Sequence, residues 1–180
     1  GWLDPDGDAE GYIYSWTVGG NTLTSATTNT LTGAFFNKGD DISCTITPSD
    51  GLDTGTPLPS NTIIIQNTPP VLNSVSLGPN PAYENSTLAC STGTTSDDDG
   101  DQVVFTQSTS YQWLVNGGAI AASTSTLTGS DFNKGDTVQC IVTPFDGTDF
   151  GSAVPSTSIT IQNTAPTISG ATLSPTGADV

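Results

Sequence analysis

Along Thr137–Thr143, written TVQCIVT, apolar and polar residues alternate, so that Val138, Cys140 and Val142 fall on one side of an extended chain. A period of two is the signature of a strand with one face in a core. Shorter runs of the same character, set between turn residues, predict further strands over Val71–Leu77, Ser86–Ser91, Tyr111–Val115, Ser125–Thr128 and Ser158–Ile161. Taken in chain order with Thr137–Thr143, these six are labelled A, B, C, E, F and G.

The pattern returns. Phe36-Asn37-Lys38-Gly39-Asp40 recurs as Phe132-Asn133-Lys134-Gly135-Asp136, and Cys44 recurs as Cys140. Pro48-Ser49-Asp50-Gly51 recurs as Pro144-Phe145-Asp146-Gly147, and Ile65-Gln66-Asn67-Thr68-Pro69-Pro70 as Ile161-Gln162-Asn163-Thr164-Ala165-Pro166. Each of these pairs is displaced by 96 positions. Trp16 and Trp113 are 97 apart, and Asp4-Pro5-Asp6-Gly7-Asp8 precedes Asp97-Asp98-Asp99-Gly100-Asp101 by 93, differences that mark loop insertions. Fixed-period self-similarity is the mark of a repeat architecture. It divides the chain into the later part of one unit (1–68, strands C to G), a complete unit (69–164) and the start of a third (165–180). The third is seen where Thr172-Leu173-Ser174-Pro175 echoes Ser76-Leu77-Gly78-Pro79. The chain reads as an excerpt from a longer tandem array.

Cys90 in strand B and Cys140 in strand F flank Trp113 in strand C. This matches the immunoglobulin arrangement, in which a Trp packs on a disulfide between two sheets. Such a bridge closes a loop of 50 residues; two buried free thiols are the other reading. Cys44 is the F-strand cysteine of the first unit and has no B-strand counterpart in this sequence. The sequence of motifs DxDGD, YxW, FNKGDxxxC, TPxDGxDxG and IQNTxP resembles the tandem immunoglobulin-like repeats of very large bacterial surface and secreted proteins, related in shape to PKD-type and cadherin-like modules. The resemblance spans essentially the whole chain. It implies an all-β fold of tandem immunoglobulin-like β-sandwiches, about 96 residues per repeat, at the cell surface or outside the cell.

Composition removes several functions. The formal charge is −16, with two lysines, no arginine, no histidine and no methionine. A surface that tracks phosphates needs basic side chains, so nucleic acid is excluded as a partner. Without histidine the usual proton shuttle of acid–base and triad chemistry is missing. No apolar run reaches the length of a membrane span. Abundant Thr, Val and Ile favour pleated strands over helices.

What remains is the carboxylates. Ser96–Asp101 places four of them within five residues, and no basic residue lies near them in sequence. In an immunoglobulin topology this B–C loop shares a pole with the F–G turn Phe145–Asp149 and with the linker Asn67-Thr68-Pro69-Pro70. Crowded carboxylates repel one another unless a cation relieves them, and an oxygen-only donor set suits Ca²⁺ rather than zinc. The expected ligands are Asp97, Asp99, Asp101, Asp146 and Asp149, with Asn67 from the linker. The first unit supplies Asp4, Asp6, Asp8, Asp50 and Asp53. An EF-hand is excluded, because Gly100 stands at loop position 4 and Ser108 at position 12. Asp-Gly pairs also suit tight turns, which leaves solvated turns as the alternative use.

These features lead to a non-catalytic structural module of a long extracellular fibre, stalk or adhesin, stiffened by Ca²⁺ between repeats. Its partners are the neighbouring repeats of the same chain and other copies in a filament. The alternative is a carbohydrate- or protein-binding module using the B–C and F–G loops, with Trp2 as its aromatic contact. Trp2 is not repeated, since its counterpart is Thr95.

Overall fold

The computed structural model describes residues 3–172. Within them, one compact unit runs to Pro69 and takes in the loop Asp97–Asp101; the other comprises Pro70–Ser96 and the chain from Gln102.

The first unit is an antiparallel sheet of β1 (Gly11–Val18), β2 (Asn21–Thr22), β3 (Asp41–Ser49), β4 (Leu58–Pro59) and β5 (Ile63–Ile64). The order is β2-β1-β3-β4, and β5 also pairs with β3. β1 and β3 pair along their length, from Gly11 opposite Ser49 to Val18 opposite Ile42. The turn from β1 into β2 is Gly19-Gly20, with φ of +53° and +77°. Two successive positive φ values give a turn whose twist matches a hairpin.

In the second unit the strands are β6 (Val71–Leu72), β7 (Val75–Gly78), β8 (Ala82–Tyr83), β9 (Leu88–Thr92), β10 (Thr95–Ser96), β11 (Tyr111–Val115), β12 (Gly118–Ile120), β13 (Thr126–Leu127), β14 (Thr137–Val142), β15 (Val154–Pro155) and β16 (Ile159–Gln162). One sheet runs β12-β11-β14-β16-β8, with β15 also on β14, and a second runs β13-β9-β7. Every pairing is antiparallel except that of β16 with β8. Alternate residues of both sheets meet in one core: Leu77, Leu88 and Cys90 from one side, Trp113, Val138, Cys140, Val142, Ile159 and Ile161 from the other. A disulfide between Cys90 and Cys140 ties β9 to β14, with Cα atoms 6.2 Å apart. Trp113 is fully buried beside it, and its indole N–H donates to the Thr124 carbonyl at 2.8 Å. A buried Trp needs such a partner for its polar atom. This is an immunoglobulin-like β-sandwich, and the chain is all-β.

The strands expected over 71–161 are found with local changes. Strand A is divided into β6 and β7, which keep a single register against β10 and β9: Val71 faces Ser96, Leu72 faces Thr95, and Val75 faces Thr92. The ladder breaks where Gly93 lies over Ser74, so close that a Cβ on Gly93 would meet Ser74 Oγ at 2.2 Å. Strand B starts at Leu88 rather than Ser86. Four further short strands, β8, β10, β12 and β15, have too few residues to show a period. The stretch 165–172 forms no strand, and the rest of the segment expected to open a third repeat lies outside the described residues.

The inner face of β3 shows what a second sheet does. Ile42, Cys44 and Ile46 stand at the repeat positions of Val138, Cys140 and Val142. The latter three are fully buried, whereas Ile46 is 37% exposed. Among the described residues, the first unit has one sheet.

Candidate functional site

The acidic motifs first build their own turns. Asp4 Oδ1 accepts the Asp6 N–H at 2.9 Å, and Gly7 follows with φ of +79°. In the corresponding loop Asp97 Oδ1 accepts the Asp99 N–H at 3.0 Å and the Asp101 N–H at 3.2 Å, and Gly100 has φ of +81°. The DGxD turns work alike. Asp50 Oδ1 accepts the N–H groups of Leu52 and Asp53, both at 2.7 Å; Asp146 Oδ1 accepts those of Thr148 at 2.6 Å and Asp149 at 2.7 Å. A short acidic side chain that accepts from its own backbone two or three residues on is a well-known turn former. At Asp50 these bonds, Asp53 N–H first and Leu52 N–H second, hold the carboxyl below its ordinary pKa. It is therefore an anion at neutral pH.

Beyond the turns, the structure brings some expected ligands together. In the first unit Asp4, Asp8 and Asp50 each present a carboxylate oxygen within 4.8 Å of the others. Asp6 and Asp53 are exposed and stand outside that group. Asp99 Oδ2 accepts the backbone N–H of Thr68 at 2.6 Å, and Asp101 is ion-paired with Lys38. Asn67 offers its Oδ1 to the same Lys38 ammonium at 2.9 Å. Asp97 Oδ2 is buried and receives no hydrogen bond from the described residues. A buried carboxylate oxygen without a donor is costly, and a cation would satisfy it. In the second unit Asp146 is 8% exposed, and the end of the B–C loop is bridged to the F–G turn through Val104 and Phe145. Their N–H groups and carbonyls exchange two bonds, at 2.8 and 3.1 Å. Phe145 and Phe150 close the turn with ring centroids 4.6 Å apart.

Two sets of polar residues were not singled out from the sequence. Ser60 Oγ accepts the Cys44 N–H at 3.0 Å, and Ser156 Oγ accepts the Cys140 N–H at 3.1 Å. In each unit the same serine N–H donates to the cysteine carbonyl at 2.8 Å. The repeated dipeptides Pro59-Ser60 and Pro155-Ser156 were the available signal. Asn116, with φ of +52°, donates from its amide to Asp136 Oδ1 at 2.7 Å and accepts the Thr137 N–H at 3.0 Å. Nothing in periodicity marks such a residue.

A cleft of about 680 Å³ opens in the first unit, lined by Tyr12, Ile46, Pro48 and Leu58 together with Asp4 and Asp50. Its lining includes Ile46, whose repeat counterpart Val142 is a core residue. The cleft is thus part of the inner face of a sheet. Trp2, the aromatic contact expected for a binding module, lies outside the described residues.

No protein-family profile matches the chain, and no curated protein matches it. Among solved structures it is similar to the crystal structure of the FN1–FN3 domains of chicken CNTN1, at 14% identity and a TM-score of 0.35. The match covers 87% of this chain and 59% of that one. Among the described residues no helix is long and apolar enough to cross a membrane.

Proposed function

We propose that the chain is a non-catalytic structural module of a long extracellular fibre, stalk or adhesin, made of repeated immunoglobulin-like units like those of large bacterial surface proteins. One observation supports this above others: the repeated motifs are spent on the fold. Gly39 N–H bonds to the Ile65 carbonyl, and Ile65 N–H returns to Asp40; Gly135, Ile161 and Asp136 repeat the pair, all at 2.8–3.0 Å. Asn37 N–H and Asn133 N–H each donate to the side chain of the aspartate three residues on, at 2.7 Å. Trp16 stands opposite Cys44 in its sheet as Trp113 stands opposite Cys140. Groups bonded in this way are engaged within the unit rather than offered to a substrate. The FNKGD motif is instead a turn ahead of strand F.

The acidic turns add a role for Ca²⁺. Asp4, Asp8 and Asp50 offer hard oxygen donors in one place, and the repeat gives the same residue types at Asp97, Asp101 and Asp146. In this proposal Ca²⁺ relieves their repulsion and stiffens the array. Thermal unfolding in Ca²⁺ and in chelator tests it. Ligand that binds only the native state stabilises by mass action, about 2.7 kcal/mol at a hundredfold excess over Kd. The melting temperature is expected to rise with Ca²⁺, and Asp50→Asn to shrink that rise. An identical melting temperature in Ca²⁺ and chelator overturns the metal role and leaves the structural role standing.

A further inference from the structure

Asn85-Ser86-Thr87 is the one place in the sequence where an asparagine is followed two positions on by Ser or Thr with no proline between. Asn-x-Ser/Thr is the acceptor pattern for N-linked sugar, a bulky and hydrated group that belongs on a surface. The fold sets this triplet in the turn from β8 to β9, with Glu84 and Asn85 at its centre. The Ser86 N–H donates to the Tyr83 carbonyl at 2.9 Å, and Ser86 Oγ accepts the Tyr83 N–H at 2.9 Å. Glu84 anchors the turn: its side chain accepts the Lys134 N–H at 3.0 Å, and its carbonyl lies against Gly129.

The middle residue of the triplet therefore holds the turn, and the two that the chemistry needs are left to solvent. Asn85 and Thr87 are both exposed, whereas Leu88 next to them is fully buried. The Asn85 amide is also uncommitted. Asn21, Asn73, Asn116 and Asn163 each donate a side-chain N–H to a neighbour. No such bond engages the Asn85 side chain among the described residues. The place stays open in a unit that another follows: Gly33, the repeat counterpart of Gly129, is exposed there together with Ala34 and Phe35.

We propose that Asn85 is a glycosylation site, taking a sugar in N-linkage from a donor activated as a phosphate ester at its anomeric carbon. In the transfer, Nδ2 of Asn85 forms a bond to that carbon. The bond from the carbon to the donor's phosphate oxygen breaks, and the phosphate leaves with the electron pair. The amide proton passes to a base of the transferase. The sugar has a use at this place. β8 is the edge strand of its sheet, and Asn85 lies two residues beyond it. An open edge invites pairing with another chain, and a hydrated sugar beside it obstructs that approach. The inference rests on the reading of the chain as an extracellular module.

The test takes the full-length protein from the surface of the cells that make it. After digestion, the peptide containing Asn85 is sequenced by electron-transfer fragmentation, which leaves a sugar on its side chain. A sugar mass on Asn85 is expected, lost in Thr87→Ala and kept in Thr87→Ser. The Cys90–Cys140 crosslink, read in the same digest, reports that each variant has folded. A bare Asn85 overturns the site. So does a sugar on the Ser86 or Thr87 hydroxyl in place of the amide, or one on Asn85 that survives Thr87→Ala. Any of these in protein recovered from the cell surface leaves the structural-module reading in place. Recovery from inside the cell alone, with Asn85 bare, overturns both.

Discussion

At the scale of single residues, the polar groups that matter are those that finish turns. Asn116 is the clearest. Its amide beside Asp136, reinforced by the Asn133 N–H, holds the Asp136 carboxyl below its ordinary pKa. A depressed carboxyl adds stability that is fully present above the ordinary carboxylate value of about 4 and is lost as pH falls through the folded value. Asn116→Gly removes the amide while keeping a residue that accepts positive φ, and the first unit already uses Gly19-Gly20 at this turn. The expected outcome is an Asp136 pKa that moves up toward the ordinary value, read by NMR titration, with less loss of stability on acidification. Hydrophobic residues were easier to place from the sequence. Val138, Cys140 and Val142 were assigned to the core by their spacing alone, and all three are fully buried. Asn116, Ser60 and Ser156 were not found, because a hydrogen bond across a turn leaves no periodic trace.

At the scale of elements, the disulfide and the close backbone approaches set the sandwich. The bridge from β9 to β14 closes a loop spanning a separation of 50 residues. The chain-entropy account gives about 4 kcal/mol for a loop of that length. Reduction, or replacement of both cysteines by alanine, is expected to lower unfolding stability by roughly that amount in denaturant titrations; an unchanged midpoint would count against it. Gly129 shows the other constraint. A Cβ there would meet the Glu84 carbonyl oxygen at 1.7 Å, a clash with main chain that no rotamer relieves. Gly129→Ala is expected to cost about 1–3 kcal/mol, the usual range for overpacking, measured the same way. Long strands were legible because each has enough residues to show a period. β8 was not, since two residues carry none, and its place beside β16 depends on the chain crossing from one sheet to the other.

For the whole molecule, charge dominates. A net −16 on 180 residues repels itself in the compact state. Added monovalent salt is expected to raise the melting temperature, steeply below physiological ionic strength and less above it, as screening saturates. A melting temperature independent of salt would show that Lys38 and the turn bonds already neutralise the carboxylates locally. The same carboxylates looked isolated in the sequence, where the nearest basic residue to Asp101 is Lys134. Folding gives Asp101 a different lysine, Lys38, 63 positions away.

The sequence by itself determined the all-β class, the repeat, the core face of Thr137–Thr143 and the pairing of Cys90 with Cys140 as one of two uses of those thiols. Each follows from local periodicity or from self-comparison, which one dimension holds in full. Only the tertiary structure decided which carboxylates keep company with one another, and that Lys38 and Thr68 receive Asp101 and Asp99. Those are distances between segments far apart in the chain, and a linear pattern has no term for them.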